Sequence, residues 1–388
     1  MRKLFGQAQL IKRMKCFHCD NCGMMVFFES EYCVKCGESL GFLPDTLEMS
    51  SGKTSGGSTP SNGNGAPGNC ANRNQHQVCN WLIPSGDSNP FCLSCRLNEM
   101  IPDLTIAGNR ERWLKLERAK RRCLYTFLRL GLPVETGEDK SRVALRFRFL
   151  SDGVNMPPVL TGHSNGVITI NTAEADGDER ERRRVDLHEP YRTLVGHIRH
   201  ESGHYYWDRL IAQSSHLTEF RELFGDETVN YDEALKQYYQ RGPVVDWPQR
   251  TVTAYASLHP WEDWAETWAH YLHIVDTLET AASFGLGFKK TTDENKEQGN
   301  TISEISGNLD NFEELLANWI PLTCALNSIN RGMGLSDLYP FIITDAVVDK
   351  LSFVHELIQA EARHPKACFQ NQPNALPEGD HSRLHQPA

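Results

Sequence analysis

Apolar residues at Leu194, Val195, Ile198, Tyr205, Leu210 and Ile211 recur at the spacing of a partly buried helix across residues 191–211. Upstream, residues 166–172 alternate as a strand, expected at the edge of a sheet, where an extended peptide can pair with it. A second helix is expected from Pro260, which suits a first turn because its missing N–H is not needed there, through Ile274. Residues 110–122 interleave charges and apolar side chains at helical spacing and read as a solvated helix face, while residues 309–319 and 345–358 give further helices. Residues 50–68 carry almost no apolar side chain and predict a flexible loop; the chain after about residue 364 reads as disordered. The pattern is that of an α+β protein: a small mixed sheet, two central helices and a helical C-terminal part.

The first central helix carries His200-Glu201-Ser202-Gly203-His204. Two imidazoles four residues apart lie on one helical face and converge on a point, as a zinc ion binding nitrogen donors requires. Glu201 then stands beside the open coordination position as a general base for water. Gly203 weakens the helix by about 1 kcal/mol relative to alanine, which predicts the close approach of another backbone. Ser202 carries a hydroxyl that can bond back to the carbonyl of the preceding turn.

The second helix supplies the missing acid. Glu262 and Glu266 share a face one turn apart, beside Ala265 and Ala269, where uncompensated carboxylates are costly. Glu262 is assigned as the third zinc ligand and Glu266 as the carboxylate that holds a ligand histidine's other N–H, although spacing alone leaves the reverse assignment open. Asp263 points about 100° away and reads as a cap or surface acid. His270 and His273 read as structural, and His197 as a supporting or core residue. Tyr255 precedes this helix and is a candidate donor to an oxyanion, with a packed loop tyrosine as the alternative.

The chain has 12 cysteines, and the spacing of eight gives a separate reading. Cys19, Cys22, Cys33 and Cys36 form two C-x-x-C knuckles, the pattern of a structural zinc ribbon; Cys16 and His18 flank them as substitutes. Cys70, Cys79, Cys92 and Cys95 are assigned to a second structural zinc despite the wide first spacing, with His76 as a possible replacement ligand. Cys123, Cys324 and Cys368 read as buried or free thiols. Zinc is therefore the expected cofactor, one ion catalytic and one or two structural. Metal-site cysteines, with no recognisable signal peptide or membrane span, suggest a reducing compartment, the cytoplasm. The net charge of −10 argues against a general nucleic-acid surface. The charged run 179–184 reads as a solvated loop, or as the flank of a cleft favouring acidic substrate segments.

These motifs resemble a known family. Residues 197–209, 255–280 and 160–171 are similar to the zinc-binding metallopeptidase family that carries an N-terminal zinc ribbon, over most of residues 17 to 360. The resemblance implies a zincin-like peptidase domain of the Glu-zincin type, and the spacing of Tyr255, Glu262 and Glu266 is similar to that of lethal-factor-type toxin proteases. The expected organisation is a zinc ribbon at 1–48, a flexible loop at 49–69, a second cysteine-rich module at 70–100, a peptidase domain at 101–364 and a disordered tail at 365–388. Peptides or proteins are the expected substrates, and the oligomeric state is left open. The alternatives are a ribbon module that binds protein or nucleic acid beside a non-catalytic metal site, and a zinc hydrolase of some other amide. Position alone suggests that the ribbons dock over the catalytic cleft, in which case deleting residues 1–98 would raise activity.

Overall fold

The structure is a computed structural model that describes residues 16–52, 66–137, 143–153, 159–186, 189–289, 302–306 and 308–363. Most of the expected flexible loop, the expected tail and Cys368 lie outside the described residues. Among those described, no helix is long and apolar enough to cross a membrane.

A four-stranded mixed sheet forms one layer. Its strands are β1 (Asn98–Met100), β2 (Arg146–Leu150), β3 (Gly162–Ser164) and β4 (Val167–Asn171), in the order β1-β2-β4-β3. β1 and β4 run parallel to β2, with Ile168 opposite Phe147, and β3 runs antiparallel to β4, with Ile168 opposite His163. The strand expected at the edge, β4, is therefore interior, and β3 is the edge beside it. The reason is visible along β4, where the four residues from Ile168 to Asn171 are all buried, so the strand is covered on both faces.

The longer helices are α1 (Asn109–Arg129), α2 (Gly177–Asp186), α3 (Leu194–Leu210), α4 (Leu217–Phe224), α5 (Tyr231–Arg241), α6 (Pro260–Ser283), α7 (Phe312–Gly332) and α8 (Asp345–Arg363). α3 and α6 form the centre. Thr193 caps α3 by accepting from the Gly196 amide at 3.0 Å, and His259 caps α6 by accepting from the Trp261 amide at 3.1 Å. The two helices approach so closely that a Cβ on Gly203 would lie 2.9 Å from the Ala265 Cα, which explains the glycine inside a helix. Trp264 Nε1 donates to the Gly203 carbonyl at 2.8 Å, and Trp268 Nε1 donates to Ser202 Oγ at 3.1 Å. Ser202 in turn donates to the Arg199 carbonyl at 2.6 Å, the back-bond its hydroxyl allows.

One charged position departs from expectation, and one charged run does so in part. Asp263 is neither cap nor surface acid: it is buried against α8, where Lys350 Nζ donates to it at 2.5 Å. Residues 110–122 do present a solvated face, with Arg110, Glu111, Lys115, Arg118 and Arg122 exposed, but Glu117, Lys120 and Arg121 on the other side of the helix are buried beneath the second cysteine module. Lys120 donates to the Ser94 carbonyl at 3.0 Å and Arg121 to the Val78 carbonyl at 2.9 Å. The run 179–184 lies on α2, a helix with no buried residue, with Arg183 paired to Glu179 at 2.8 Å and to Glu174 at 2.7 Å.

The cysteine modules share this core. The Phe42 amide donates to the Asn80 carbonyl at 2.9 Å, and the rings of Phe17, Phe28, Phe42 and Trp81 pack with Tyr125 of α1. Cys16 Sγ donates to the Ser283 carbonyl at the far end of α6, about 30 Å along that helix from Glu262 at 1.5 Å per residue. These contacts seat the modules on α1 and the C-terminal end of α6, which runs against the expectation that they dock over the cleft. β1, at the end of the second module, is itself a strand of the sheet.

Two outcomes follow from this packing. Gly203→Ala is expected to destabilise the protein by about 1–3 kcal/mol, because separating two backbones outweighs the gain in helix propensity; an unchanged denaturant midpoint would remove the close approach from its central place. Removing residues 1–98 is expected to abolish the cooperative thermal transition instead of activating the remainder, and a soluble truncated chain melting at the full-length temperature would contradict the shared core.

Candidate metal centre

α3 and α6 cross so that His200, His204 and Glu262 present one donor atom each within 4.8 Å of one another, all three side chains buried. Glu262 Oε2 lies 3.0 Å from His200 Nε2 and 3.7 Å from His204 Nε2. Ligands bonded tetrahedrally to zinc at about 2.0–2.1 Å stand roughly 3.3 Å apart, so the spacing fits. Oε2 has no well-aligned hydrogen bond despite this closeness, as expected of atoms aimed at a common point and not at each other. Two imidazole nitrogens and a carboxylate oxygen make a donor set that suits zinc and leaves a fourth position.

The electrostatics fit the same group. Burial works against a charged His200, yet the Glu262 and Glu266 carboxylates outweigh it and push its pKa well up. Burial likewise opposes a charged Glu262, but the His204 and His200 rings hold it well below the usual carboxylate range. His204 is pushed down by burial, which favours the neutral ring a metal needs. Glu201 is fully buried, and among the described residues neither carboxylate oxygen has a hydrogen-bond partner. Burial pushes its pKa up to about 8, a penalty that a nearby cation removes.

The structure brings most of the other assigned residues to this centre. Glu266 Oε1 sits 2.7 Å from His200 Nδ1, on the opposite side of the ring from Glu262. Tyr255 opens a 3-10 turn, Tyr255–Leu258, and its ring centroid is 6.1 Å from that of His200. His197 lies elsewhere, with Nδ1 3.7 Å from Glu174 Oε2, and Glu174 is also bound by Arg183 and Arg192 at 2.7 Å each. His270 and His273 bond to the Tyr339 hydroxyl and to Arg199, each at 2.6 Å.

Three residues at the centre were given no role from the sequence. The Tyr231 hydroxyl donates to Glu262 Oε1 at 2.8 Å. Trp261 packs edge-on against His204 at 5.1 Å, and His163 of β3 stacks on the same ring at 6.4 Å. Trp261, beside Glu262, and His163, within residues 160–171, lay in stretches already singled out, whereas Tyr231 lay in none.

Both cysteine sets also assemble. The four sulfurs of Cys19, Cys22, Cys33 and Cys36 lie within 4.8 Å of one another, as do those of Cys70, Cys79, Cys92 and Cys95. Close pairs stand at 3.7 Å (Cys19–Cys36), 3.5 Å (Cys22–Cys33) and 3.6 Å (Cys79–Cys92), near the roughly 3.7 Å expected of sulfurs around a tetrahedral zinc and far beyond a disulfide bond. The candidate substitutes stand apart: Cys16 bonds to Ser283, and His76 packs on Trp113 at 5.5 Å.

Comparison with known proteins agrees with this layout. Residues 109–357 match the family described as "Putative zinc-binding metallo-peptidase", and residues 16–106 match a zinc-ribbon domain. Proteins of Mycobacterium tuberculosis and Mycobacterium bovis, both named only as uncharacterized, are 41% identical to the chain over 359 residues, covering 90% of it and 96% of their own length. No solved structure matches. With a match spanning the helices that bear His200, His204 and Glu262, the chain belongs to this zinc-binding metallo-peptidase family and carries a zinc-ribbon region ahead of the peptidase part.

Proposed function

We propose that the protein is a zinc-dependent peptidase of the Glu-zincin type, hydrolysing peptide bonds with water and with Glu201 as general base. The observation that supports it best is the convergence of His200, His204 and Glu262 beside a buried carboxylate that has no hydrogen-bond partner. A purely structural metal site has no use for that carboxylate, and leaving it so is costly.

In this reading His200, His204 and Glu262 hold the catalytic zinc, and the two cysteine sets hold structural ions. Zinc supplies Lewis acidity, lowering the pKa of a bound water from about 16 to about 7. Glu201 takes the proton released as water attacks the scissile carbonyl and returns it to the leaving amine. Glu266 fixes the His200 ring through Nδ1. Tyr255 donates to the oxyanion that develops on the carbonyl. The edge strand β3, which carries His163 against the His204 ring, pairs with an extended stretch of substrate. Eight cysteine thiols committed to metal point to a reducing compartment, the cytoplasm.

Elemental analysis of the purified protein tests the ligand set. Wild type is expected to hold three zinc ions, and Glu262→Ala to lose one while the cysteine-bound ions remain; a variant that retains all three overturns the assignment. Cleavage of a peptide library then tests the base. Glu201→Gln is expected to keep its zinc and to slow cleavage by about 10²–10⁴-fold, whereas cleavage at the wild-type rate removes Glu201 from the mechanism.

A further inference from the structure

The segment between α4 and the 3-10 turn at Tyr255 lies at the surface. Its helix, α5, has no buried residue, and it is bounded by two glycines with positive φ, Gly225 at 104° and Gly242 at 77°. Asn230 caps it by accepting from the Glu233 amide at 3.1 Å. Its apolar stripe, Tyr231, Ala234, Leu235 and Tyr238, is only half-buried, so little packing holds this helix of 11 residues in place on its own.

Its contacts run to the metal centre. Tyr231, the first residue of α5, donates its hydroxyl to Glu262 Oε1 at 2.8 Å and is hydrogen-bonded to the Tyr255 phenol. Its ring packs on His259 at 5.3 Å, and His259 Nε2 bonds to the Val229 carbonyl at 3.1 Å. One turn pair further along, Tyr238 packs edge-on against Tyr255 at 5.9 Å.

We propose that Tyr231 is a positioning residue for Glu262 and that, through this bond, α5 is fastened to the metal centre as a flap. The inference rests on the reading of Glu262 as a metal ligand. A carboxylate offers two oxygens of similar basicity, and a phenol donating to one leaves the other to face the cation. Here the phenol occupies Oε1, and Oε2 is the atom aimed at both histidine rings. The bond thus favours ligation through a single oxygen and keeps Oε1 from taking the position that water needs. The coupling is reciprocal: an ion that fixes Glu262 also fixes the acceptor that α5 holds on to, so loading the site orders the flap.

The test compares wild type with Tyr231→Phe, using zinc itself as the probe, with Tyr239→Phe as a control on the same helix. Competition against a chelator reads affinity at the His200–His204–Glu262 site, and hydrogen exchange reads protection of residues 226–242 in zinc-loaded and zinc-depleted protein. In wild type and Tyr239→Phe, zinc is expected to slow exchange across 226–242. In Tyr231→Phe, affinity is expected to fall about 10–100-fold with the cysteine-held ions retained. At zinc concentrations that still fill the site, its protection of 226–242 is expected to be lost. A merely structural tyrosine would loosen the helix equally with and without zinc. Wild-type affinity in Tyr231→Phe, or zinc-dependent protection that survives the substitution, overturns the inference while leaving the ligand set intact. A wild-type protein with no ion that Glu262→Ala removes overturns the functional reading, and this inference with it.

Discussion

The contact between Gly203 and Ala265 is the constraint on which the rest of the molecule depends. His200 and His204 are fixed on α3 and Glu262 on α6, so their donor atoms meet only if the two backbones come within a distance that a β-carbon would forbid. Trp264 and Trp268 lock the crossing by donating back into α3 at Gly203 and Ser202. The sheet, α1 and α8 then act as buttresses: α1 packs on α3, and Lys350 of α8 holds Asp263 one residue away from Glu262.

Three buried acids elsewhere in the molecule are met by cations of the chain itself. Glu117 has Lys120 and Arg121, Glu174 has Arg183 and Arg192, and Asp263 has Lys350. Such pairing is what makes a buried carboxylate tolerable. At the crossing of α3 and α6 the pattern changes, because among the described residues Glu201 has no hydrogen-bond partner and Glu262 faces histidine rings and Tyr231. Three carboxylates, Glu201, Glu262 and Glu266, surround two imidazoles there. A divalent cation is the natural remedy for that imbalance, and family membership supplies zinc as the metal.

Much of this centre was legible in the sequence because its chemistry depends on local spacing. The four-residue interval from His200 to His204 and the shared face of Glu262 and Glu266 follow from helical geometry alone, and the first cysteine set follows from its paired C-x-x-C spacing. Gly203 announced a close approach, though not its partner. What escaped detection depends on long-range packing. Tyr231 reaches Glu262 from a surface helix that carries no motif, and β4 is covered by a neighbour, β3, too short to stand out. Asp263 was misjudged, and the burial of Glu117, Lys120 and Arg121 on α1 went unforeseen, because their partners, Lys350 and the second cysteine module, are remote in sequence and only the folded chain brings them together.

Each cysteine module is at once a metal site and part of the hydrophobic core, with β1 continuing into the sheet, so the zinc-ribbon region supports the peptidase part more than it overhangs it. Anomalous diffraction at the zinc edge tests the central arrangement most directly. Three peaks are expected: one within each cysteine set, and a third within about 2.0–2.2 Å of His200 Nε2, His204 Nε2 and Glu262 Oε2. Density confined to the two cysteine sets, or a third peak that bypasses Glu262, would contradict it.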